Sequence, residues 1–472
     1  MKIFKNFIGL AALALCLGFA SCSSDDDAPS YSNVAVSNSE LMTILKAKGY
    51  QFDENGKMLL DDKANSTTSL DLSGTKVDTA ALKELSVFPN LKELNLSSNG
   101  YGPVFHIASL PSQITGLDLQ GNDIYDFDGL VTAKVENDEV KATILHEFTK
   151  LYLPVSCKYN VEDLMPFYTQ NEAENKTVDM QMVNDKGSLE KYNTLREIPD
   201  EYFRAYLKMK FASLFADDTH IDISKPMKNN EQGESLTLGL TNQFADVNKI
   251  QSISGIECFI NNPYYQPFFV SIAINNNVLF ETKYLDLHSN IKGLMLNNVN
   301  TTEGINFANA TSLVALTLTH NDGIKEADLS NTLISAQDIK DFDATLQNYI
   351  AIKYCKNLET LLLPKTDKGV VNACELIQLP KLKSVDLSSI KGLEALALVV
   401  LPNCSITYPN LKYTYYSQDK TLVELSEFDY ILFAISEDVY KMESTKNFFA
   451  AHTFGLGDNG YSYMNDGAYL WQ

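Results

Sequence analysis

The sequence predicts an α/β solenoid of short repeated units, and two observations carry this prediction. Short stretches with leucines at alternate positions recur along the chain, and three of them begin at Leu70, Leu94 and Leu117, which are 24 and 23 residues apart. Asn99 and Asn122 follow the second and third stretches at the same distance. A fixed period of about 20–50 residues is typical of a repeat architecture, in which each unit buries its apolar face against its neighbours.

The individual units have the sequence pattern of leucine-rich repeats. Residues 91–99 and 114–122 both fit L-x-x-L-x-L-x-x-N. In such a unit the leucines two residues apart lie on one side of a short strand and enter the core, and the asparagine turns inward at the bend to bond backbone groups. After Leu313 the pattern returns with spacings of 11 and of 23 or 24 residues, which predicts short units and long units that carry a convex helix.

Two tandem arrays are predicted, each with an N-terminal helical cap, because an uncovered first unit would expose apolar surface. The first array spans residues 39–155 and opens with a helix at Ser39, since serine is a favourable N-cap. The second array spans residues 195–415 and opens with a helix near Ile198.

The remaining segments lack the repeat. Residues 156–194 show no period and are interpreted as a linker or an insertion. Residues 416–472 are too rich in aromatic side chains for a disordered tail, so they predict a C-terminal capping module for the second array. A small ligand-binding piece is the alternative for this module.

The N-terminus has the layout of an export signal. Two lysines precede an apolar run that is too short to span a bilayer, and two small residues precede Cys22. Residues 1–22 therefore predict a lipoprotein signal peptide with lipid attachment at Cys22, and residues 23–38 predict a flexible tether. An ordinary secretory signal with a chance cysteine is the alternative.

Two resemblances extend this interpretation. The acidic run at residues 25–27, directly after Cys22, resembles the export tag on surface lipoproteins of Bacteroidetes. That resemblance implies an outer-membrane protein that faces the cell exterior and contacts the membrane through its lipid anchor only. The layout of caps and repeats, carried by residues 198–207 and 253–259, is similar to internalin-like repeat proteins of Bacteroidetes, which implies a fold but names no ligand.

Composition and motifs argue against several classes of function. The formal net charge of −22 disfavours nucleic acid and anionic headgroups as partners. The six histidines form no H-E-x-x-H motif, and no P-loop or G-x-S-x-G motif occurs, so no catalytic residue and no cofactor is expected. A turn at Asp53 begins like a calcium loop, but Ala64 stands at the place of the last acidic ligand, so no metal is expected either.

The seven cysteines form no C-x-x-C pair. They are interpreted as scattered core thiols, and the sequence leaves one disulfide open without placing it.

A candidate ligand-binding surface follows from strand geometry, because residues between the leucines face away from the core. Polar residues recur at this central position, and most of them are acidic. They are Asp71, Asn95, Asp118, Asp286, Thr317, Asp328 and Asp386. A negative groove would suit a basic protein patch or a glycan held by carboxylates; the alternative is that these positions are polar only for solubility.

These observations predict a non-catalytic cell-surface lipoprotein that binds a protein partner through its repeats. A lipoprotein that captures glycans is the second hypothesis, and Trp471 with the tyrosines of residues 408–415 and 461–469 would supply its aromatic surface. An enzyme is the third hypothesis, for which the sequence offers no constellation of residues.

Overall fold

The protein is described here by a computed structural model. It covers residues 29–136, 139–168, 178–225, 235–238, 244–262, 269–336, 348–367, 369–411, 413–416, 421–424 and 431–451. The expected signal peptide, Cys22 and the last part of the C-terminal module lie outside the described residues.

The predicted fold class is wrong: the described residues do not form a leucine-rich-repeat solenoid of two arrays with helical caps. They form mostly short strands, arranged in one ten-stranded sheet, one six-stranded sheet and several two-stranded sheets, with few helices. No helix among the described residues is long and apolar enough to cross a membrane.

Among the described residues before residue 195 there are twelve strands. They are β1 Tyr31–Ala35, β2 Lys57–Leu59, β3 Ser69–Asp71, β4 Glu93–Asn95, β5 Val104–His106, β6 Gly116–Asp118, β7 Asp126–Asp128, β8 Val131–Glu136, β9 Glu139–Ile144, β10 Lys150–Leu153, β11 Asp179–Val183 and β12 Leu189–Lys191. The six-stranded sheet has the order β12-β11-β10-β6-β4-β3, and its strands are parallel except for β12.

The strands from residue 195 onward build the ten-stranded sheet and its neighbours. They are β13 Leu195–Glu197, β14 His220–Asp222, β15 Ser235–Leu238, β16 Phe269–Ile272, β17 Phe280–Asp286, β18 Gly293–Asn297, β19 Val299–Asn306, β20 Ala315–Thr319, β21 Glu326–Asp328, β22 Tyr349–Lys353, β23 Thr360–Leu362, β24 Gly369–Ile377, β25 Ser384–Asp386, β26 Ile390–Val399, β27 Ser405–Thr407, β28 Tyr413–Tyr416, β29 Thr421–Glu424 and β30 Leu432–Ile435. In the ten-stranded sheet, β15, β16, β18, β20, β22, β24, β26 and β28 are consecutive and parallel, β29 is antiparallel, and β30 lies beside β26.

Strands of a second row alternate along the chain with those of the ten-stranded sheet. They form the parallel pairs β17–β19, β21–β23 and β25–β27. This alternation is the physical reason for the wrong fold class. Leu316 and Ile350 lie in the ten-stranded sheet, whereas Ala327 and Leu361 pair in the second row, so the spacing of 11 residues is the passage between rows. Between Leu361 and Val385, where a long unit was expected to carry a helix, the structure places the strand β24. The middle of the long unit between Ala327 and Ile350, residues 337–347, lies outside the described residues.

The α-helices are short. They span Ser39–Ala47, Asp62–Ser66, Glu201–Phe211, Glu257–Ile260, Glu437–Tyr440 and Glu443–Ala451, with 3-10 helices at Thr79–Val87, Ile107–Ser109, Val155–Tyr159, Ala212–Leu214 and Val247–Lys249. Helices do lie near Ser39 and Ile198, as the sequence indicates, but Asn38 and Asp200 are their N-caps and accept hydrogen bonds from the first turn. Because the predicted arrays are wrong, the prediction that these helices cap them is wrong as well.

The segments without a repeat join the sheets. In the stretch expected to be a linker or an insertion, β11 and β12 extend the six-stranded sheet. The end of the expected tether forms β1, which pairs with β2. In the C-terminal segment β30 joins the ten-stranded sheet, and the Phe448 side chain packs into the core beneath it.

Two large apolar cores and one small cluster lie among the described residues, and one short segment packs into both large cores. The core of the first half includes Leu164 and Phe167, whereas Val161 and Met165 belong to the larger core of the second half. Residues 161–167 therefore lie at the junction of the two cores. The polar side chains of this segment, Glu162 and Asp163, are held at that junction as a consequence.

Candidate functional site

The structure distributes the sequence-predicted site residues over several surfaces. Asp71, Asn95 and Asp118 stand in register on neighbouring strands of the six-stranded sheet. Thr317 lies in the ten-stranded sheet. Asp286, Asp328 and Asp386 end strands of the second row.

Most of these acidic residues have a local structural role. Asp71 accepts a hydrogen bond from the Ser73 backbone N–H at 2.9 Å, and Asp118 accepts one from the Gln120 N–H at 3.0 Å. Asp328 and Asp386 make the same contact two residues onward. An aspartate that bonds the backbone two residues on stabilises the turn that follows a strand. The recurrence of aspartate at strand ends thus has a cause that requires no ligand.

A cleft lies at the junction of the two cores and brings together residues that are distant in sequence. Its volume is about 1170 Å³, and β5, β7, β17, β19 and β21 contribute to its walls. Seven acidic side chains line it, namely Asp126, Asp128, Glu162, Asp163, Asp286, Glu326 and Asp328. Among the described residues that line the cleft there is no lysine or arginine. Asp286 and Asp328 are the two sequence-predicted site residues that it includes.

The floor of the cleft holds four carboxyl groups: those of Asp163 and Asp286 are buried, and those of Asp126 and Glu162 are partly buried. Asp163 Oδ2 accepts hydrogen bonds from the Phe127 backbone N–H at 3.1 Å and from Asn160 Nδ2 at 2.7 Å. Asp126 Oδ2 accepts hydrogen bonds from the Tyr284 hydroxyl at 3.3 Å and from Asn306 Nδ2 at 3.4 Å. The bonds of Asp126 tie the first half to strands of the second half.

Strand geometry aims Asp286 and His288 into the same space. Successive side chains of a strand point to opposite faces, so residues two apart share a face. Leu287, between them, enters the larger core. The Asp286 N–H donates to Asn261 Oδ1 at 2.9 Å, which fixes the end of β17. The His288 Nδ1 atom lies 3.3 Å from Glu162 Oε2, across the junction.

Burial and mutual repulsion govern the charge of the floor. Burial raises the pKa of each floor carboxyl, and most strongly those of Asp163 and Asp286, where the neighbouring Asp126 raises it further. Burial also raises the pKa of the Tyr284 hydroxyl, which therefore stays protonated and donates to Asp126. The floor thus concentrates acidic groups, of which Asp163 and Asp286 are the most strongly biased toward the neutral form.

The rim of the cleft is exposed and acidic. Asp128 Oδ2 lies 2.9 Å from His106 Nδ1, and both side chains are more than half exposed. Glu326 and Asp328, on β21, complete the rim from the second half. The rim therefore presents carboxylates that a partner in solution can reach.

Sequence reasoning missed Asp126, Glu162 and Asp163. The available signal was weak: Asp126 and Asp128, like Asp286 and His288, alternate around one buried apolar residue. Such alternation shows that two side chains share a face but not that two distant strands meet.

The described cysteines offer no reactive site. Cys157, Cys258, Cys355, Cys374 and Cys404 are buried and free. Burial raises the pKa of Cys258 and Cys374 to about 12 and that of Cys355 and Cys404 to about 11. Their thiols stay protonated at neutral pH and are poor nucleophiles.

A buried glutamate beside the cleft predicts a pH dependence of stability. Glu257 accepts hydrogen bonds from the Lys283 N–H at 2.8 Å and the Gly255 N–H at 3.1 Å, and burial raises its pKa. The stability that its neutral form contributes is present below its ordinary pKa of 4.5 and is lost as pH rises through the raised folded value. Between about pH 5 and about pH 8, urea unfolding should show a smaller loss of stability in Glu257→Gln than in the wild type.

The matched control for this pH dependence is Glu359→Gln. Glu359 is exposed, and the Lys383 ammonium lowers its pKa, so its contribution to the pH dependence has the opposite sign. An unchanged pH dependence in Glu257→Gln would contradict the assignment of a raised pKa to Glu257.

No protein-family model, curated protein or solved structure matches this chain. The geometry of the cleft therefore carries the functional argument.

Proposed function

We propose that this chain is a non-catalytic cell-surface lipoprotein, anchored in the outer membrane through Cys22, that binds a positively charged segment of a protein partner in its acidic cleft. The observation that carries the proposal is the set of seven carboxylic side chains that line one cleft without a lysine or arginine among the described lining residues. The lipid anchor and the location rest on the sequence alone.

The size and shape of the cleft support an extended peptide segment as the ligand. The cleft has a volume of about 1170 Å³. Common small-molecule pockets have volumes of about 300–1,000 Å³, so this cleft is larger than they are. Phe127, Tyr284 and Phe307 lie among the carboxylates and supply apolar surface for the stems of long basic side chains. The overall charge of −22 steers a cationic partner toward this protein before contact.

The rim carboxylates are the residues that recognition should depend on, because they are exposed. Each exposed charge pair contributes about 0.2–1 kcal/mol. Neutralising Asp128, Glu326 and Asp328 together should therefore weaken the binding of a basic peptide about 10-fold. The substitutions Asp128→Asn, Glu326→Gln and Asp328→Asn keep the shapes of the side chains, and asparagine at 328 retains the oxygen that accepts the Ser330 N–H.

The measurement is the dissociation constant of a fluorescent decapeptide of alternating lysine and serine, titrated with the full chain by fluorescence anisotropy. The matched control removes the same number of charges elsewhere, with Asp71→Asn, Asp118→Asn and Asp386→Asn. The expected result is weaker binding in the rim variant, unchanged binding in the control and weaker binding at higher salt. An equal loss of peptide affinity in both variants would show that overall charge, and not the rim, determines binding. Binding of a neutral oligosaccharide at the cleft in place of the peptide would overturn the proposed partner.

A further inference from the structure

We propose that the floor of the cleft binds one divalent transition-metal ion, of the zinc or manganese type, through Glu162, Asp286 and His288. One donor atom of each of these three side chains lies within 4.8 Å of the other two. The inference goes beyond the proposed function and does not depend on the partner of the rim.

Unpartnered polar atoms at the floor are the first argument. Asp286 and His288 are each only 8% exposed. Among the described residues, Asp286 Oδ1 and His288 Nε2 are buried without a hydrogen-bond partner, and the contact described for Glu162 Oε2 is the His288 Nδ1 atom at 3.3 Å. Buried polar atoms are nearly always bonded, so unpartnered atoms on side chains whose donor atoms lie within 4.8 Å of one another indicate an occupant that these side chains share.

Charge balance is the second argument. Four carboxyl groups, those of Asp126, Glu162, Asp163 and Asp286, meet at the floor, and no lysine or arginine is among the described residues that line the cleft. A divalent ion would compensate two negative charges at once.

The donor set indicates the class of metal. Imidazole nitrogen suits zinc and the later transition metals, whereas carboxylate oxygens also bind manganese, magnesium and calcium. One histidine with two carboxylates therefore favours a transition metal over calcium, which takes six to eight oxygen ligands. Zinc–ligand bonds are about 2.0–2.2 Å long, so side-chain shifts of about 1 Å would bring the three donors onto one ion.

The surroundings hold the ligands in place, as a metal site requires. Asn261 anchors the backbone at Asp286, and Val161, next to Glu162, is fully buried in the larger core. Ligands that come from both halves of the chain would let the ion join them. No sequence motif predicts this metal, because Glu162 precedes Asp286 by 124 residues and no ligand motif of fixed spacing links them.

The test is a titration of the purified full chain, first stripped of metal with EDTA, with Zn²⁺ alone by isothermal calorimetry. The expected result is saturable binding of one ion per chain and a rise of the melting temperature with Zn²⁺. Asp286→Asn and His288→Gln should each weaken Zn²⁺ binding by more than about 100-fold, beyond the 10–100-fold effect of losing an outer-sphere partner. The control His106→Gln removes a histidine at the rim and should leave Zn²⁺ binding unchanged.

A second measurement separates loss of the site from loss of the fold. Asp286→Asn keeps the shape of the side chain and removes an acidic group that burial disfavours in its charged form, so its metal-free form should unfold at the same urea concentration as the metal-free wild type or at a higher one. Absence of saturable Zn²⁺ binding in the folded wild type would overturn the proposal. Binding that survives both substitutions would do the same, and so would Ca²⁺ binding that is tighter than Zn²⁺ binding and insensitive to His288→Gln.

Discussion

Replacing Asn122 with alanine is expected to lower the free energy of unfolding by about 3 kcal/mol or more. The side chain is buried and bonds four backbone groups. Nδ2 donates to the Leu96 and Leu119 carbonyls at 3.0 and 2.8 Å, and Oδ1 accepts from the Asn99 and Tyr101 N–H groups at 3.0 and 3.1 Å. Alanine leaves these groups without partners at a site that water cannot readily reach, and each buried orphan costs about 1–3 kcal/mol.

The matched control for this prediction is Asn90→Ala. Asn90 is exposed and makes one bond, from Nδ2 to the Asn65 carbonyl at 2.8 Å, which water can replace. Its expected effect is within about 0.5 kcal/mol. Urea unfolding followed by circular dichroism measures both variants. Similar losses in the two variants would show that Asn122 does not carry the backbone bonds of its turn.

Asn122 also illustrates what the sequence could predict. The repeated leucines and the following asparagine correctly placed short strands at Leu70, Leu94 and Leu117, and the structure pairs these residues in register. The inward turn of the asparagine was predicted as well, because few other side chains can both donate to and accept from the backbone at a tight bend. Features whose physical cause lies within a few residues could therefore be predicted from the sequence.

The fold class could not be predicted from the sequence, because the strands of both rows have the same residue pattern. A strand buries alternate residues whether it lies in the ten-stranded sheet or in the second row. Leu316 and Ala327 thus look like successive units of one sheet, although Ala327 pairs with Leu361 in the other row. Nothing in the periodicity distinguishes a chain that returns by a helix from one that returns by a strand.

The candidate site was even less predictable. Its floor joins β7, the segment at residues 161–167 and the end of β17, and it exists only because two cores meet. Asp286 and Asp328 were predicted because a polar residue recurs at the central position of the strands. The structure explains part of this recurrence by turn formation at strand ends. Contacts of such long range are set by packing and leave no trace in residue spacing.

Replacing Asn261 with alanine is the second change with a large expected effect, about 3 kcal/mol in the free energy of unfolding. Asn261 is almost fully buried. Its Nδ2 donates to the Tyr284 carbonyl at 3.0 Å and the Tyr159 carbonyl at 3.4 Å, and its Oδ1 accepts from the Asp286 N–H at 2.9 Å. The side chain thereby ties the end of β17 to the first half of the chain.

Asn276→Ala is the control that isolates burial, since Asn276 makes the same number of bonds to backbone groups. Nδ2 donates to the Asn248 and Ile250 carbonyls, and Oδ1 accepts from the Val278 N–H, but the residue is half-buried. Water can replace those contacts, so the expected loss is about 1 kcal/mol or less. Equal losses by urea unfolding would contradict the view that burial of Asn261 sets its effect.

The same pair of variants connects the junction to the floor of the cleft. Asn261 touches neither Glu162 nor His288 in the bonds described, so it acts on the floor only by holding the backbone at Asp286. If the floor binds a metal ion, Asn261→Ala should weaken Zn²⁺ binding by about 10–100-fold, the effect of losing a positioning partner, while Asn276→Ala leaves it unchanged. A loss of stability without a change in Zn²⁺ affinity would separate the two roles and show that Asp286 keeps its place without this bond.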